Sequence, residues 1–408
     1  MTIRIGLLYH FPGGSPVQLK IDIGVGGRFH ADRLAQVFLD DKHDVRVVST
    51  YPRSRFPQLA GARLVSQPLP EIAFRLLSKL GAENQGDLLK MHWFGHALAA
   101  KLRRDPGQLF IGWSSFSLET LRAGLHPHRA LLRDSTHYRT QMRILEAEAR
   151  LHGETLPDRS LVLDREEEEY ALADTIFVLS RFARKSFIDH GIAPEKLHIL
   201  PLGADTSRFA PVARDPFALP LRLVYFGSVS LRKGIPYLLQ AIDGLPASLV
   251  GLTVIGPVEP CLLPLQKRFS QVRWLPPMDH AALAAFLPTQ DVFVLPTLED
   301  GFGQTLPQAM ACGLVPITTD RCGAAESLAP GEGFIVEAAN AQALRDAIQS
   351  AAGDLAALWR MRETILKSRS VLGWDRYRGV LREWLEQVKP GIANESKAAS
   401  GLPPRSAT

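Results

Sequence analysis

The chain has 408 residues with a hydrophobic fraction of 46%, and its formal net charge is +5 at pH 7. A chain of this length exceeds what one compact core usually holds, so two domains are expected. Its three cysteines have no metal-ligand spacing and cannot all pair, which favours a reducing compartment over a disulfide framework. No apolar run approaches the roughly 20 residues that cross a bilayer, and the first residues do not resemble a signal segment. We therefore expect a cytoplasmic protein.

The first half of the chain alternates strand and helix patterns, which is typical of a parallel sheet. The predicted strands are Ile3–Tyr9, Val45–Ser49, Leu109–Ile111, Ala130–Arg133 and Thr175–Leu179. A helix is predicted over Arg28–Asp40, because its apolar residues fall on one face. Gly26 and Gly27 precede this helix, either as a close approach to a ligand or as a flexible connection.

The stretch from position 51 to position 105 is both basic and apolar. It contains nine lysines and arginines among residues such as Phe74, Leu76 and Trp93. Basic amphipathic segments bind anionic lipid surfaces, so one interpretation is peripheral contact with the inner face of a membrane, or binding of an anionic acceptor. A solvated basic face is the other interpretation, and the sequence leaves both open. No nucleic-acid motif organises these charges.

Four consecutive carboxylates, Glu166–Glu169, raise the question of a metal site. Adjacent side chains on a helix point in different directions and do not converge on one ion. We therefore predict a solvated helix start here, and we expect no metal site in the chain.

A proline-bearing stretch separates the two halves of the chain. Because Pro211, Pro216 and Pro220 interrupt regular structure, residues 1–205 are assigned to a first domain and residues 206–220 to a linker. The second half then repeats the alternation. Its predicted strands are Leu221–Phe226, Leu252–Ile255, Val272–Trp274, Val292–Leu295, Val315–Ile317 and Gly333–Val336.

The segment from position 295 to position 317 carries the strongest functional signal. Asp300 follows a strand, Gly301 and Gly303 form a turn, and a helix is predicted over Thr305–Cys312. Glycines let the backbone approach a ligand, and a helix start directs unpaired N–H groups and a positive dipole end towards it. Gln308 adds a polar amide one turn inside the helix. This pattern suits the phosphate and hydroxyl groups of a nucleotide sugar, while an ordinary strand–helix connection is the alternative.

The loop after strand Leu221–Phe226 offers cations beside a second helix start. Arg232 and Lys233 follow Gly227 and Ser228 in this loop. Guanidinium and ammonium groups both suit phosphate oxygens, so the pair would neutralise a diphosphate. A solvated loop pair is the alternative, and the glycine-rich segment just described makes it the weaker one.

These segments resemble the signature of family 4 glycosyltransferases, and further matches follow in the same order along nearly the whole chain. The matched positions are Gly301, Phe302, Gly303, Ala309, Met310, Ala311, Gly313, Pro316 and Ile317, with Lys233 and Gly234 in the earlier loop. The family has two acidic anchors eight positions apart, and here Asp300 and Gln308 occupy them. In the family the first carboxylate holds hydroxyls of the transferred sugar, and the second accepts from the nucleotide ribose. Aspartate keeps the charge, whereas glutamine keeps an acceptor oxygen but loses the charge-assisted bond.

Two further positions depart from the family pattern. Ser228 stands where an arginine usually follows the glycine of the strand, and Arg232 is a candidate to supply that charge from the other end of the loop. Asp134 replaces a glycine in the segment Arg133–Arg139, which resembles an Arg-Gly-Ser-Ser-His segment in some branches of the family. Its His137 is either a polar contact to the transferred sugar from the opposing domain or a capping or core histidine.

The resemblance implies an α/β fold in the GT-B arrangement, in which two Rossmann-like domains face each other across a cleft. Residues 1–205 would form the acceptor-side domain and residues 221–370 the nucleotide-sugar-binding domain. A helix over Trp374–Val388, within residues 371–389, would cross back onto the first domain. The small and polar residues 390–408 predict a disordered tail.

The resemblance also implies transfer of a sugar from a nucleotide-diphosphate sugar to an acceptor hydroxyl, with retention of configuration and without a metal or other cofactor. The acceptor would be a glycan, a glycolipid or a small molecule. The implied catalytic residues are Asp300, Arg232, Lys233 and His137. The implied donor-binding residues are Gly26, Gly27, Gly227, Ser228, Gly301, Phe302, Gly303, Gln304, Thr305, Leu306 and Gln308.

No pair of carboxylates forms an acid–base couple in the sequence, so the chemistry is expected to be electrostatic. Arg232, Lys233 and the backbone N–H groups of residues 303–306 would stabilise the charge that develops on the leaving diphosphate. Two alternatives stay open. The replaced anchors and Ser228 allow a nucleotide-sugar-binding protein without turnover. The other alternative keeps the GT-B fold but carries out phosphorolysis or epimerisation.

Overall fold

The computed structural model of the chain describes residues 18–400, and the strand predicted over Ile3–Tyr9 lies outside them. The strands described in the first half are β1 Lys20–Val25, β2 Asp44–Ser49, β3 Arg63–Ser66, β4 Leu109–Trp113, β5 His128–Arg133, β6 Thr175–Val178 and β7 Leu197–Ile199. They form one parallel sheet in the order β3-β2-β1-β4-β5-β6-β7. The helices of this half are α1 Ala31–Asp40, α2 Leu69–Lys79, α3 Glu83–Arg103, α4 Leu118–Ala123, α5 Tyr138–Leu151, α6 Ser160–Leu172 and α7 Arg181–Asp189.

The central strand β1 was not predicted from the sequence, and its buried charge explains why. The Asp22 carboxylate is fully buried in β1, where it accepts hydrogen bonds from Arg46 at 2.7 Å and from the peptide N–H of Gly107 at 2.7 Å. The ring of His126 lies 2.9 Å from the same carboxylate. Burial opposes ionisation of Asp22, but the hydrogen bonds outweigh it and lower the pKa of this group. A satisfied ion pair inside a sheet interrupts the apolar run by which a buried strand is recognised.

The prediction of a solvated helix start at Glu166–Glu169 was wrong, because these residues lie inside α6 and two of them are fully buried. The Glu169 carboxylate accepts from the peptide N–H groups of Ser115 at 2.6 Å and Ser117 at 2.8 Å. Burial raises the pKa of Glu169 to about 8. Glu166 lies 3.3 Å from the guanidinium of Arg133. These partners come from distant parts of the chain, so the local sequence gave no sign of them.

The second half of the chain forms a second parallel sheet, in which all six predicted strands are present. Its described strands are β8 Leu221–Phe226, β9 Val250–Ile255, β10 Arg273–Leu275, β11 Val292–Leu295, β12 Val315–Thr319 and β13 Phe334–Val336. Their order is β10-β9-β8-β11-β12-β13. The helices are α8 Ile235–Ile242, α9 Leu263–Arg268, α10 His280–Phe286, α11 Thr305–Ala311, α12 Ala341–Gly353, α13 Leu355–Ser368 and α14 Asp375–Ser400. The strand order reverses between β8 and β11, and the carboxyl ends of such strands are where open parallel sheets bind ligands.

The long helix α14 returns to the first domain, as the sequence predicted, but it does not end where predicted. The buried Trp384 lies against Phe177 of β6, with 4.7 Å between the ring centroids, and Arg382 pairs with Asp41 at 2.8 Å. The helix continues through Pro390 to Ser400, so the disordered tail predicted from position 390 is wrong for residues 390–400. Ile392, which is 1% exposed, anchors this extension in the core.

The two chain crossings between the domains lie side by side. The peptide N–H of Ala204 donates to the carbonyl of Leu372 at 2.8 Å. A Cβ atom on Gly203 would lie 2.5 Å from the carbonyl oxygen of Gly373, so only glycine permits this approach. Arg369 donates to the carbonyl of Phe209 at 2.8 Å and thereby ties the linker to the returning chain. The crossings therefore form one compact joint between the two domains.

Candidate active site

The loop that follows β11 contacts the first domain directly. A Cβ atom on Gly301 would lie 2.3 Å from the carbonyl oxygen of Asp134, in the loop after β5. Gly303 has φ +82, a left-handed conformation that favours glycine, and the backbone then enters α11 with a hydrogen bond from Leu306 N to Gly303 O at 2.9 Å. The two glycines of the motif thus serve a close approach between the domains and a turn into a helix.

Lys233 and Asp300, which the sequence assigned separate roles, form an ion pair in the structure. The Lys233 ammonium donates to Asp300 Oδ2, and Asp300 is 9% exposed. Arg232 lies beside them and donates to the carbonyl of Glu299 at 2.8 Å. Burial alone would raise the pKa of Asp300, but the attraction of Lys233 and then of Arg232 outweighs it and lowers this pKa below its ordinary value. Asp300 is therefore a carboxylate at neutral pH, with two fixed cations within reach.

Glu299 was missed by the sequence analysis, although it is the residue that joins the two domains at this point. Its fully buried carboxylate accepts from Ser135 Oγ at 2.7 Å, from Thr136 N at 2.9 Å and from Gln141 Nε2 at 3.2 Å. Arg232 Nη1 lies 3.7 Å from the same carboxylate. The sequence did show Glu299 as an acidic residue following β11. However, the functional role was assigned to its neighbour Asp300, because Asp300 occupies the motif position.

A cavity of about 570 Å³ opens beside Gln308 between the domains. Gln304 and Gln308 line it from α11. Three arginines of the first domain and the linker (Arg28, Arg33 and Arg208) outnumber the two aspartates of the lining (Asp32 and Asp205), of which Asp205 lies 3.5 Å from Arg33. Gln304 donates to the carbonyl of Gly203 at 3.1 Å, whereas no hydrogen bond of Gln308 is observed among the described residues. The cavity therefore offers a free amide and a small excess of positive charge to a polar or anionic ligand.

Four buried polar atoms around the cleft have no hydrogen-bond partner among residues 18–400: His30 Nε2, Asp134 Oδ1, Tyr377 Oη and Thr305 Oγ1. His30 lines the cavity and is 6% exposed, and its Nδ1 lies 3.8 Å from Asp134 Oδ1. Burial lowers the pKa of His30, so its ring is neutral. Buried polar groups are nearly always paired, so a ligand hydroxyl at this place would satisfy the ring. The sequence analysis did not single out His30.

His137 is a buried capping residue in the structure, which is the second of the two roles that the sequence left open for it. It is the N-cap of α5, where its Nδ1 accepts from the peptide N–H of Arg139 at 3.3 Å. Its ring is 2% exposed and lies 4.3 Å from the ring of His190, in a cluster with Tyr170 and Phe187. Burial lowers the pKa of His137 to about 4. The structure does not bring His137 together with Lys233 and Asp300.

The remaining donor-binding candidates lie in three places. Gly26 and Gly27 lie between β1 and α1, and their carbonyls accept from Thr50 at 3.0 Å and Ser49 at 2.9 Å. Gly227 and Ser228 follow β8, and Ser228 is exposed. Phe302 and Leu306 are buried in the second domain. Among the described residues, no group of three or more His, Cys, Asp or Glu side chains is arranged to hold a metal ion.

Two family models match adjoining parts of the chain. The model described as Glycosyltransferase Family 4 matches residues 26–208, and the model described as Glycosyl transferases group 1 matches residues 220–354. The junction between them lies in the linker predicted over residues 206–220.

Among curated proteins, the MMP alpha-(1->4)-mannosyltransferase of Mycolicibacterium hassiacum is 30% identical over 161 residues, which is 38% of this chain and 38% of that protein. The chain spans between 38% and 59% of the length of the curated relatives it matches.

Solved structures share the fold over almost the whole chain. Sucrose-phosphate synthase from Thermosynechococcus elongatus has a TM-score of 0.70 at 19% identity and covers 91% of this chain and 100% of its own. Anabaena HepE in complex with UDP-glucose has a TM-score of 0.62 at 15% identity, with the same coverage of 91% and 100%. These likenesses confirm the GT-B arrangement. The two family models, which together match residues 26–208 and 220–354, show that the chain belongs to the family 4 glycosyltransferases.

Proposed function

We propose that this chain transfers a sugar from a nucleotide-diphosphate sugar to an acceptor hydroxyl. The observation that carries the proposal is the ion pair of Lys233 with Asp300 in the cleft, with Arg232 beside it. Two cations suit a diphosphate, and a carboxylate suits the hydroxyls of the transferred sugar. Anabaena HepE, which shares the fold, is described with UDP and with UDP-glucose bound, which supports a nucleotide-sugar donor.

In the proposed reaction, Lys233 and Arg232 lie against the diphosphate, and Asp300 accepts hydrogen bonds from the sugar. Negative charge grows on the diphosphate as its bond to the anomeric carbon breaks. Fixed cations therefore stabilise the transition state more than the bound donor, which is the requirement for catalysis. A diphosphate oxygen takes the proton of the acceptor hydroxyl, so no acid–base pair of side chains is needed. We propose a hexosyl donor and retention of configuration, in keeping with the family resemblance.

The cavity beside Gln308 is the proposed place of the nucleotide ribose and of the acceptor. The free amide oxygen of Gln308 accepts from a ribose hydroxyl. The unpaired Nε2 of His30, across the cavity, forms a hydrogen bond with a hydroxyl of the sugar or of the acceptor. The three arginines of the cavity outnumber its two aspartates, Asp32 and Asp205, and this excess favours an acceptor that carries negative charge, whether it is a glycan, a glycolipid or a small molecule.

A thermal-shift screen across nucleoside diphosphates and their sugars tests the proposal, because tight binding to the folded protein raises its melting temperature. We expect one nucleoside diphosphate and its sugar to raise the melting temperature, while the free nucleoside has little effect. Since Arg232 and Lys233 supply the positive charge, we also expect a chelator to leave sugar transfer largely intact. Loss of transfer on chelation, restored by one divalent ion, would contradict the metal-free account.

A binding protein without turnover is the second candidate, and Gln308 is the observation that favours it. An amide in place of the second carboxylate makes a weaker bond to ribose than a charged group would. Binding of a nucleotide sugar by purified protein without release of its diphosphate would favour this candidate.

A further inference from the structure

The segment from position 51 to position 105 carries an excess of positive charge that its size does not explain. It contains nine lysines and arginines and four aspartates and glutamates, a net charge of +5, which equals the formal net charge of the whole chain. The rest of the chain is therefore balanced, and the excess is concentrated in the region of β3, α2 and α3.

Helices α2 and α3 form a hairpin with a buried and an exposed side. Phe74 and Leu77 of α2 face Gly86 of α3, because a Cβ atom on Gly86 would lie 3.2 Å from atoms of both side chains. This contact fixes the inner side of the hairpin. Other apolar residues of α2 do not take part in this contact and are exposed.

An apolar stripe runs along the solvent side of α2. Leu69, Ile72 and Leu76 are 59%, 49% and 58% exposed, and Leu80, directly after the helix, is 80% exposed. Their spacing of three or four residues places them on one face of a helix. Helices of globular proteins normally bury such a stripe against the core, so this face lacks its expected partner.

Helix α3 extends the same patch. Leu89 and Trp93 lie three and seven positions after Gly86, which places them on the side of α3 that faces α2, and they are 43% and 41% exposed. Together with the stripe on α2 they supply six of the fifteen exposed large hydrophobic residues among the described part of the chain. We call these six residues the docking face.

Basic side chains lie around the docking face, and two of the three acidic groups nearby are paired, while Glu83 at the start of α3 is exposed. Arg75 has a side chain that is 60% exposed, and Lys79 is exposed one turn later. Glu71 is 8% exposed and pairs with Arg75 at 2.8 Å and with Lys90 at 2.6 Å. Asp87 lies 3.4 Å from Arg159. The outward charge of the hairpin is therefore mainly positive.

A basic hollow of about 620 Å³ lies further along α3. Its lining includes His96 and Arg103 of α3, Arg104 directly after that helix, and Glu119 and Arg122 of α4. Arg122 is held by Glu168 at 2.5 Å, whereas no ion pair of Arg103 or Arg104 is observed among residues 18–400. The same helix thus presents apolar side chains first and cations beyond them.

We propose that the docking face binds the surface of an anionic phospholipid bilayer. Exposed leucines and a tryptophan flanked by lysines and arginines are the pattern by which amphipathic helices insert at the headgroup level, and the cations add attraction to anionic lipid. No helix among the described residues is long and apolar enough to cross a membrane, so this contact is peripheral. The proposal depends only on this surface and stands apart from the proposed transfer reaction.

Flotation with lipid vesicles, in the absence of any nucleotide sugar, tests this proposal. Vesicles of phosphatidylcholine with about one third phosphatidylglycerol should carry the wild-type protein to the top of the gradient, and pure phosphatidylcholine should carry much less. The double variant Leu76→Ser and Leu80→Ser should bind at least about tenfold more weakly, since each loses buried apolar area. Leu161→Ser, which changes a side chain that is 62% exposed on α6, is the matched control and should bind as wild type.

Two charge-reversal variants complete the test. Lys79→Glu should lower binding to the anionic vesicles, and Lys267→Glu, on the exposed surface of the second domain, should not. Unchanged melting temperatures would show that the variants are folded. Equal binding to neutral and anionic vesicles, or unimpaired binding by the double variant, would overturn the proposal. A wild-type dimer in sedimentation that the double variant loses, with no vesicle binding, would instead show that the docking face joins two copies of the chain.

Discussion

At the scale of single residues, the account depends most on Lys233 and Arg232. We predict that Lys233→Ala and Arg232→Ala each weaken nucleoside diphosphate binding about ten- to a hundredfold, since a lost charge-assisted bond costs about 1.5 to 3 kcal/mol. Binding of the free nucleoside should change much less, because it has no phosphate. Calorimetric titration with both ligands measures the difference, and Lys267→Ala serves as the control. If both variants bound the diphosphate like wild type, the diphosphate site would lie elsewhere.

Gln308 allows a test of the ribose contact that needs no turnover. Gln308→Glu should preserve or improve affinity for the preferred nucleoside diphosphate, because a carboxylate accepts a charge-assisted bond. Gln308→Leu should weaken affinity by about 1 to 3 kcal/mol, because the ribose hydroxyls lose their partner. Calorimetry on the two variants decides the matter. A leucine variant that binds as tightly as wild type would show that Gln308 does not contact the ribose, and would favour the binding protein without turnover.

His137 makes a prediction about pH and stability. Its pKa of about 4 in the fold lies below the ordinary value of 6.5, so the unfolded chain binds the proton more readily between these values. The stability that the neutral ring contributes is therefore complete above pH 6.5 and is lost as the pH falls towards 4. His137→Asn keeps an N-cap acceptor but removes the titrating ring. The difference in unfolding free energy between wild type and variant should shrink by up to about 3 kcal/mol over this range. A difference that stays constant in denaturant titrations would contradict this assignment.

At the scale of structural elements, the loop after β11 does two things at once. Asp300 faces the cations of the loop after β8. Glu299 accepts hydrogen bonds from Ser135 and Thr136 in the loop after β5 and from Gln141 of α5. One short loop therefore couples the proposed donor site to the contact between the two domains.

Glu299→Ala should loosen this coupling. The variant loses the acceptor for Ser135, Thr136 and Gln141, so the domains should separate more readily. We expect a larger radius of gyration in small-angle X-ray scattering without ligand, and a lower turnover with a smaller effect on nucleotide affinity. Glu363→Ala, an exposed carboxylate on α13, is the control. An unchanged radius of gyration together with wild-type turnover would rule out the closing role of Glu299.

The same elements show what the sequence could and could not predict. The six strands of the second sheet were predicted because each is an apolar run bounded by turn residues. Strand β1 was missed because its buried Asp22 is neutralised by Arg46, which lies on another strand. Glu169 looked solvated for a similar reason, since its partners lie some fifty positions away. Motif positions such as Lys233 and Asp300 were predictable from local pattern, whereas the contacts of Glu299 with Ser135, Thr136 and Gln141 exist only once the two domains meet.

At the scale of the whole molecule, the two domains are joined by the chain crossings at one side and held together by hydrogen bonds at the other. The adjacent crossings at Gly203 and Gly373 form the joint, and Glu299 with its partners closes the cleft. Because the proposed donor site lies where Glu299 and its partners hold the domains together, we expect binding and release to involve a rotation about this joint. The ion pair of Lys233 with Asp300 then keeps the buried carboxylate neutralised while no diphosphate is bound.

Release of nucleoside diphosphate from a nucleotide sugar by purified protein tests the proposed transfer reaction directly. We expect release by the wild type with at least one donor, and a loss of about a hundredfold or more in the combined variant Arg232→Ala and Lys233→Ala, because two charge-assisted contacts to the leaving group are removed. The same variant should keep its melting temperature within a few degrees of wild type. Tight binding of every donor tried with no release of diphosphate, or undiminished release by the combined variant, would contradict the proposed reaction.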